Sequence, residues 1–287
     1  MSDDLIIAAT KAVRLTQYFT LASLTVYLYD LLLTLDLEIN LLWPSKWTLM
    51  KVLYLVQRYL PLIDMGIVVM SWQFGEITNL PLCEVLFRGC GWSILVGMTL
   101  SEVILMRRTL AVWGNGTKLR ITLFLFLFFC LTPVYFLLER FHETLTYHSI
   151  PIPGLHCFAT GQSHISSLCW AFLTVYDTVL LMLTAIPAFR TYRSGGHQSS
   201  LFQVVYRDGV LYYLYLVALS GLNVLWILKL PGGYATLLTS VERVAYSVLT
   251  SHVVLHIREQ TYQRQVVMNS HNPIHINVEV DFRRSEI

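Results

Sequence analysis

Seven apolar stretches, at residues 16–35, 49–72, 82–106, 119–138, 165–189, 210–230 and 234–257, alternate with short polar connections. Each is long enough to cross about 30 Å of hydrocarbon at 1.5 Å of rise per residue, provided it is helical. Lipid offers backbone groups no partner, so only helices and closed barrels span it. Barrel strands alternate apolar and polar residues, and the run Leu-Phe-Leu-Phe-Leu-Phe-Phe at 123–129 does not. The pattern predicts an all-α, polytopic membrane protein: a bundle of seven transmembrane helices over 1–258. An irregular polar tail follows at 259–287.

Composition agrees. Hydrophobic residues make up 55% and charged residues 13% of 287, with a mean hydropathy of +0.57. Soluble chains carry about 25% charge. The net charge of +2 gives no basic excess for nucleic acid, and the lipid bilayer is the expected partner. No basic segment followed by a cleavable apolar core opens the chain, so a signal peptide is not expected.

Lys and Arg set direction through the positive-inside rule. Thirteen of the 20 fall on one side, among them Lys46, Lys51, Arg107, Arg108, Lys118 and Arg120. Lys11, Arg14, Arg140 and Lys229 fall on the other, and Arg58, Arg88 and Arg243 lie inside spans. The N-terminus is therefore expected outside and the C-terminus in the cytoplasm. Trp43, Trp47 and Trp113 fall near inner ends of spans, and Trp72, Trp170 and Trp226 near outer ends, where indoles collect.

Charges in hydrocarbon cost at least about 2.5–3.5 kcal/mol, so they face other helices and have partners. Asp30 lies about 9 Å above the inner end of span one and Arg58 about 13 Å above that of span two, which an Arg side chain can bridge. They are expected to form a structural ion pair. Asp64, Asp177, Asn223, Glu242 and Arg243 all fall about 18–22 Å from the cytoplasmic ends of their spans. One shared level suggests a wet cavity opening outward, a candidate ligand or ion site, with Arg243 neutralising one acid. Pro61 would free backbone groups of span two near Asp64. Glu102, Arg107 and Arg108 read as an interfacial anchor with snorkelling arginines. Gly89, Ser93, Gly97 and Ser101 recur every four residues, a small face for close helix packing.

Cys83 opens span three on the outer side, and Cys157 lies in the outer loop between spans four and five. An oxidising exterior permits their disulfide, with Cys169 a competing partner for either. Cys90 and Cys130 read as buried thiols. His142, His148, His156 and His164 share that loop without metal-site spacing and read as solvated. His252 and His256 share a face of span seven, but two ligands do not close a metal site. No phosphate loop, nucleophile elbow, zinc or haem motif occurs, so no metal, cofactor or catalytic set is expected. Asn115-Gly-Thr117 is a glycosylation sequon placed in the cytoplasm by this topology.

The first two spans contain Tyr29-Asp30, Asp36-x-Glu38, Trp43, Lys51-x-Leu53 and Arg58-Tyr59-x-Pro61. This ordered set, over 21–62, resembles a large family of basidiomycete fungal integral membrane proteins with an N-terminal domain of unknown function. Glu102 to Arg108 and Leu255 to Glu259 look similar as well. The resemblance implies a seven-helix fungal membrane protein and no activity. Odd span number, short loops and an outward polar level suggest a receptor-like sensor of an extracellular small molecule. It would reside in the plasma membrane, with a cytosolic signalling partner at the basic inner loops. The alternative is a secondary transporter or proton-coupled carrier using the intramembrane polar residues.

Overall fold

The computed structural model describes residues 3–73, 80–148, 158–160, 163–193, 209–229 and 237–271. They form seven helices: α1 (Asp3–Leu41), α2 (Leu49–Gln73), α3 (Leu80–Val112), α4 (Thr117–Thr144), α5 (Ser163–Arg193), α6 (Gly209–Lys229) and α7 (Thr239–His271). A small antiparallel hairpin, β1 (Thr146–His148) with β2 (Phe158–Thr160), sets Thr146 opposite Thr160. The sequence pattern did not predict it.

Polarity is inverted relative to a soluble protein. Phe124, Leu125, Phe128 and Phe129 of α4 point outward, while Arg58, Asp64, Glu102, Asp177, Glu242 and Arg243 are buried. A water-soluble chain does the opposite. Six helices, α1 to α6, contain stretches long and apolar enough to cross a membrane. The chain is thus a multi-pass membrane protein.

The seventh helix, α7, is not one of those six, and burial shows why. Ser240, Glu242, Arg243, Ser247, Thr250 and Ser251 are all buried. The polar residues that lower its apolarity face the other helices.

Consecutive helices pack on one another, and α7 packs back onto α1, α2 and α3. α3 touches α2, α4, α5 and α7, a central place that suits its face of small residues. An apolar core joins α3 to α6 through residues such as Leu105, Leu127, Leu180 and Leu216. α1, α2 and α7 share only a small apolar cluster, Leu42, Tyr54 and Leu255. Their interface also buries polar side chains, among them Thr20, Asp30, Gln57, Arg58 and Ser240. Side-chain contacts place the 41–49 and 112–117 connections, the end of α5 and the start of α6 at one end, the basic end. The β-hairpin lies at the other.

Four helices run well past the apolar stretches read from the sequence, among them α1, which spans Asp3–Leu41. α3 continues to Val112 and α4 to Thr144. α7 continues to His271, so 259–271 are helical rather than irregular. Trp170 is buried in the apolar core instead of lying at the interface.

α2, α4 and α5 run through Pro61, Pro133 and Pro187. Each proline leaves the carbonyl four residues back without its helical donor. The Leu183 carbonyl accepts from Trp113 Nε1 at 2.8 Å. The Gln57 carbonyl accepts from Ser247 Oγ at 3.5 Å. Side chains from outside the helix thus fill the gaps at Gln57 and Leu183, as lipid cannot.

Candidate functional site

The polar interior is organised along α7 in three groups. Nearest the basic end, Arg58 Nη1 donates to Asp30 Oδ2 at 2.9 Å, forming an ion pair. His252 Nε2 lies 2.6 Å from the other oxygen of Asp30. Arg58 also bonds Thr34, and its Nε is 3.9 Å from Glu38. Glu38 in turn accepts from Tyr59 at 2.8 Å and from Trp43 Nε1 at 3.4 Å. Lys51 donates to the carbonyls of Ser45 at 2.7 Å and Trp43 at 3.0 Å. Arg258 of α7 donates to Ser45 Oγ at 3.1 Å. The motif residues Asp30, Glu38, Trp43, Lys51, Arg58 and Tyr59 therefore form one network that clamps the α1–α2 hairpin to α7. Asp36 stays outside it, accepting from Asn40 at 3.0 Å.

One level deeper, Arg243 Nε donates to Asp64 Oδ2 at 3.1 Å, with both side chains buried. Ser93 Oγ reaches the same oxygen at 3.5 Å. The guanidinium lies against Gly97, where a Cβ would overlap it. The small face of α3 therefore seats an arginine, beyond serving close backbone packing.

The third group joins α3, α5, α6 and α7. Tyr246 donates to Asp177 Oδ2 at 2.6 Å. Ser220 and Asn223 donate to Glu242. Neighbouring helical positions point about 100° apart, so Glu242 faces α6 while Arg243 faces α2 and α3. Glu102 is buried beside Asp177 and Tyr246. It is not an interfacial anchor. Arg108 is buried too, its guanidinium against Gly209, whereas Arg107 is exposed.

The structure thus divides the five residues expected in one cavity. Asp64 pairs with Arg243, and Asp177, Glu242 and Asn223 belong to the neighbouring acidic group. None exceeds 1% exposure, so these side chains do not line an outward opening.

At the hairpin end, Arg88 of α3 pairs with Glu84 at 3.3 Å and with Glu139 of α4. His142 is buried in the last turn of α4, over Gly91 and edge-on to Phe87. It is not a solvated loop residue. Tyr147 of β1 also stacks edge-on with Phe87, and burial pushes its phenol pKa up. Cys83 is disulfide-bonded. Cys90, Cys130 and Cys169 are free thiols. Cys157 and His156 lie outside the described residues, as do the side chains of His148, His164 and Trp72. Among the described residues, no three His, Cys, Asp or Glu side chains are placed to hold a metal.

A family of unknown function, DUF6533, matches residues 18–63. The match covers most of the α1–α2 hairpin, including the motif network down to Arg58 and Tyr59. No curated protein matches the chain. The protein is a multi-pass integral membrane protein whose N-terminal region matches that family.

Proposed function

We propose that the protein is a seven-span membrane sensor of an extracellular small molecule. One observation carries this reading: a line of buried polar contacts along α7. It runs from Ser240, bonded to Thr20 at 2.8 Å, through Glu242, Arg243, Tyr246 and His252 to Arg258 at the basic end. At 1.5 Å per residue it extends about 27 Å. A passive anchor needs no such line, whose desolvation is costly. A helix that shifts between two sets of polar partners can link the two membrane faces.

In this reading α7 is the seventh span, shielded by the six apolar helices. The positive-inside rule supports a cytoplasmic basic end and an outer N-terminus. The bonded Cys83 at the opposite end agrees with an oxidising exterior, and Cys157 is its proposed partner. The ligand acts at the hairpin end, near Arg88, His142 and Tyr147. The cytosolic partner meets the basic connection 107–120. The motif resemblance supports a fungal membrane protein, and a sensor of an extracellular molecule belongs in the plasma membrane.

A carrier is the second reading, favoured by the buried acids Glu102, Asp177 and Glu242. The two separate experimentally. Protein in nanodiscs is screened against small metabolites by thermal shift. Each hit is then followed by hydrogen exchange at 107–120 and by uptake into proteoliposomes. A sensor gives changed exchange at 107–120 without accumulation. Accumulation of the hit inside the vesicles overturns the sensor in favour of the carrier.

A further inference from the structure

The acidic group between α3, α5, α6 and α7 has acceptors in excess of donors. Tyr246 is engaged by Asp177 Oδ2, and Ser220 and the Asn223 amide by Glu242. Four buried oxygens then have no donor in hydrogen-bond geometry: Glu102 Oε1 and Oε2, Asp177 Oδ1 and Asn223 Oδ1. Against them stands one unengaged buried donor nearby among the described residues, the Tyr176 hydroxyl, with Tyr246 and Asp177 close to Glu102. Glu102 is fully buried and faces Asp177, Tyr246 and Glu242. The arginines Arg58 and Arg243 are directed elsewhere, to Asp30 and Asp64. Buried charges are otherwise paired or coordinate metals.

We propose that Glu102 and Asp177 hold a monovalent metal cation of the sodium class between α3 and α5, within the negative field of Glu242. Its unpartnered atoms are all oxygens, the donors that hard cations take. Thiolate or imidazole, which would favour a softer metal, is not part of the group. Among the described residues no third His, Cys, Asp or Glu is placed with them to hold a metal, so the site offers few of the six to eight oxygens that a calcium-like divalent ion takes. Water or the Asn223 oxygen completes the shell. The site lies at the centre of the α7 line and does not depend on the sensor reading.

The test melts the full-length protein in nanodiscs at fixed pH and ionic strength, in sodium chloride and in N-methyl-D-glucamine chloride. Binding to the folded state raises the melting temperature by mass action, and a saturating rise of about 5 °C is expected in sodium. Glu102→Gln supplies an N–H donor to Asp177 in nearly the same shape. It should lose the sodium response while melting no lower than the wild type in N-methyl-D-glucamine. Should that variant not fold, Asp177→Asn serves the same purpose. Identical wild-type curves in the two salts overturn the proposal, leaving a proton as what fills the gap. A sodium response retained in Glu102→Gln also overturns it, by moving the ion elsewhere.

Discussion

Trp113, the residue just past the end of α3, donates its indole N–H to the Leu183 carbonyl of α5, the group that Pro187 deprives of a helical partner. The contact joins the two helices at the basic end, and its worth depends on the proline. Trp113→Phe should destabilise by about 1 kcal/mol, the net value of one hydrogen bond. In a Pro187→Ala background the restored N–H can serve Leu183, so the same substitution should cost less. Melting temperatures of the four proteins in this cycle measure the coupling. Equal costs in both backgrounds would show that the indole contributes by packing alone.

Gly97 and Gly89 share one face of α3 but differ in surroundings. A Cβ at Gly97 overlaps the Arg243 guanidinium, whereas one at Gly89 meets nothing within 4 Å. Gly97→Ala should therefore cost about 1–3 kcal/mol through overpacking, with strain on the Asp64–Arg243 pair. Gly89→Ala should be neutral or slightly stabilising, because Ala is the better helix former. Thermal melts of both variants decide this, and equal behaviour would refute the seating of Arg243 on Gly97.

Arg58 is fully buried, and its partner Asp30 also contacts His252. Removing one member strands a buried charge, typically at 3–5 kcal/mol. Arg58→Met and Asp30→Leu should each approach that cost, and the double substitution should recover much of it. The recovery, read from melting temperatures, separates a structural clamp from mere sequence coincidence. A double variant as unstable as the sum of the singles would count against a direct pair.

The sequence made much of this arrangement readable because depth follows from counting residues at 1.5 Å each. That count brings Asp30 and Arg58 to bridging distance, and the structure pairs them. Counting fails where the helix end is misjudged. With span three ended at 106, Glu102 reads as interfacial, but α3 runs to Val112, about two turns farther. His142 is misread for the same reason, since α4 continues to Thr144. Rotation is the second gap. Depth alone cannot tell that Glu242 and Arg243 face different neighbours, which divides the expected cavity into two groups. The proline gaps were half visible: Pro61 marks the missing donor, but nothing local names Ser247 as its substitute.

Cys83 is bonded, and the three other cysteines within the described residues are free. A non-reducing digest should yield a peptide linking Cys83 to Cys157. That bridge closes about 75 residues and constrains the unfolded chain by about 4 kcal/mol in the entropy model. Cys157→Ser should lower the melting temperature and make Cys83 alkylatable. Recovery of Cys157 as a free thiol from native protein would remove this bridge.

Orientation decides which face can meet a ligand. Asn115 has φ +55° in the tight 112–117 connection at the basic end, next to Gly114 at φ +72°. The left-handed conformation ends α3 there and presents the Asn115-Gly-Thr117 sequon at the surface. If the basic end is cytoplasmic, as the charge rule requires, Asn115 should carry no glycan in a eukaryotic host. A sequon engineered between β1 and β2 should be modified. The readout is a gel shift sensitive to glycosidase, compared between the natural chain and the engineered one. Modification of the engineered site alone supports the outer hairpin, the exterior disulfide and ligand access from outside. Modification of Asn115 inverts the bundle: the basic connections would face the exterior, the charge argument would fail, and a cytosolic partner at 107–120 would be excluded.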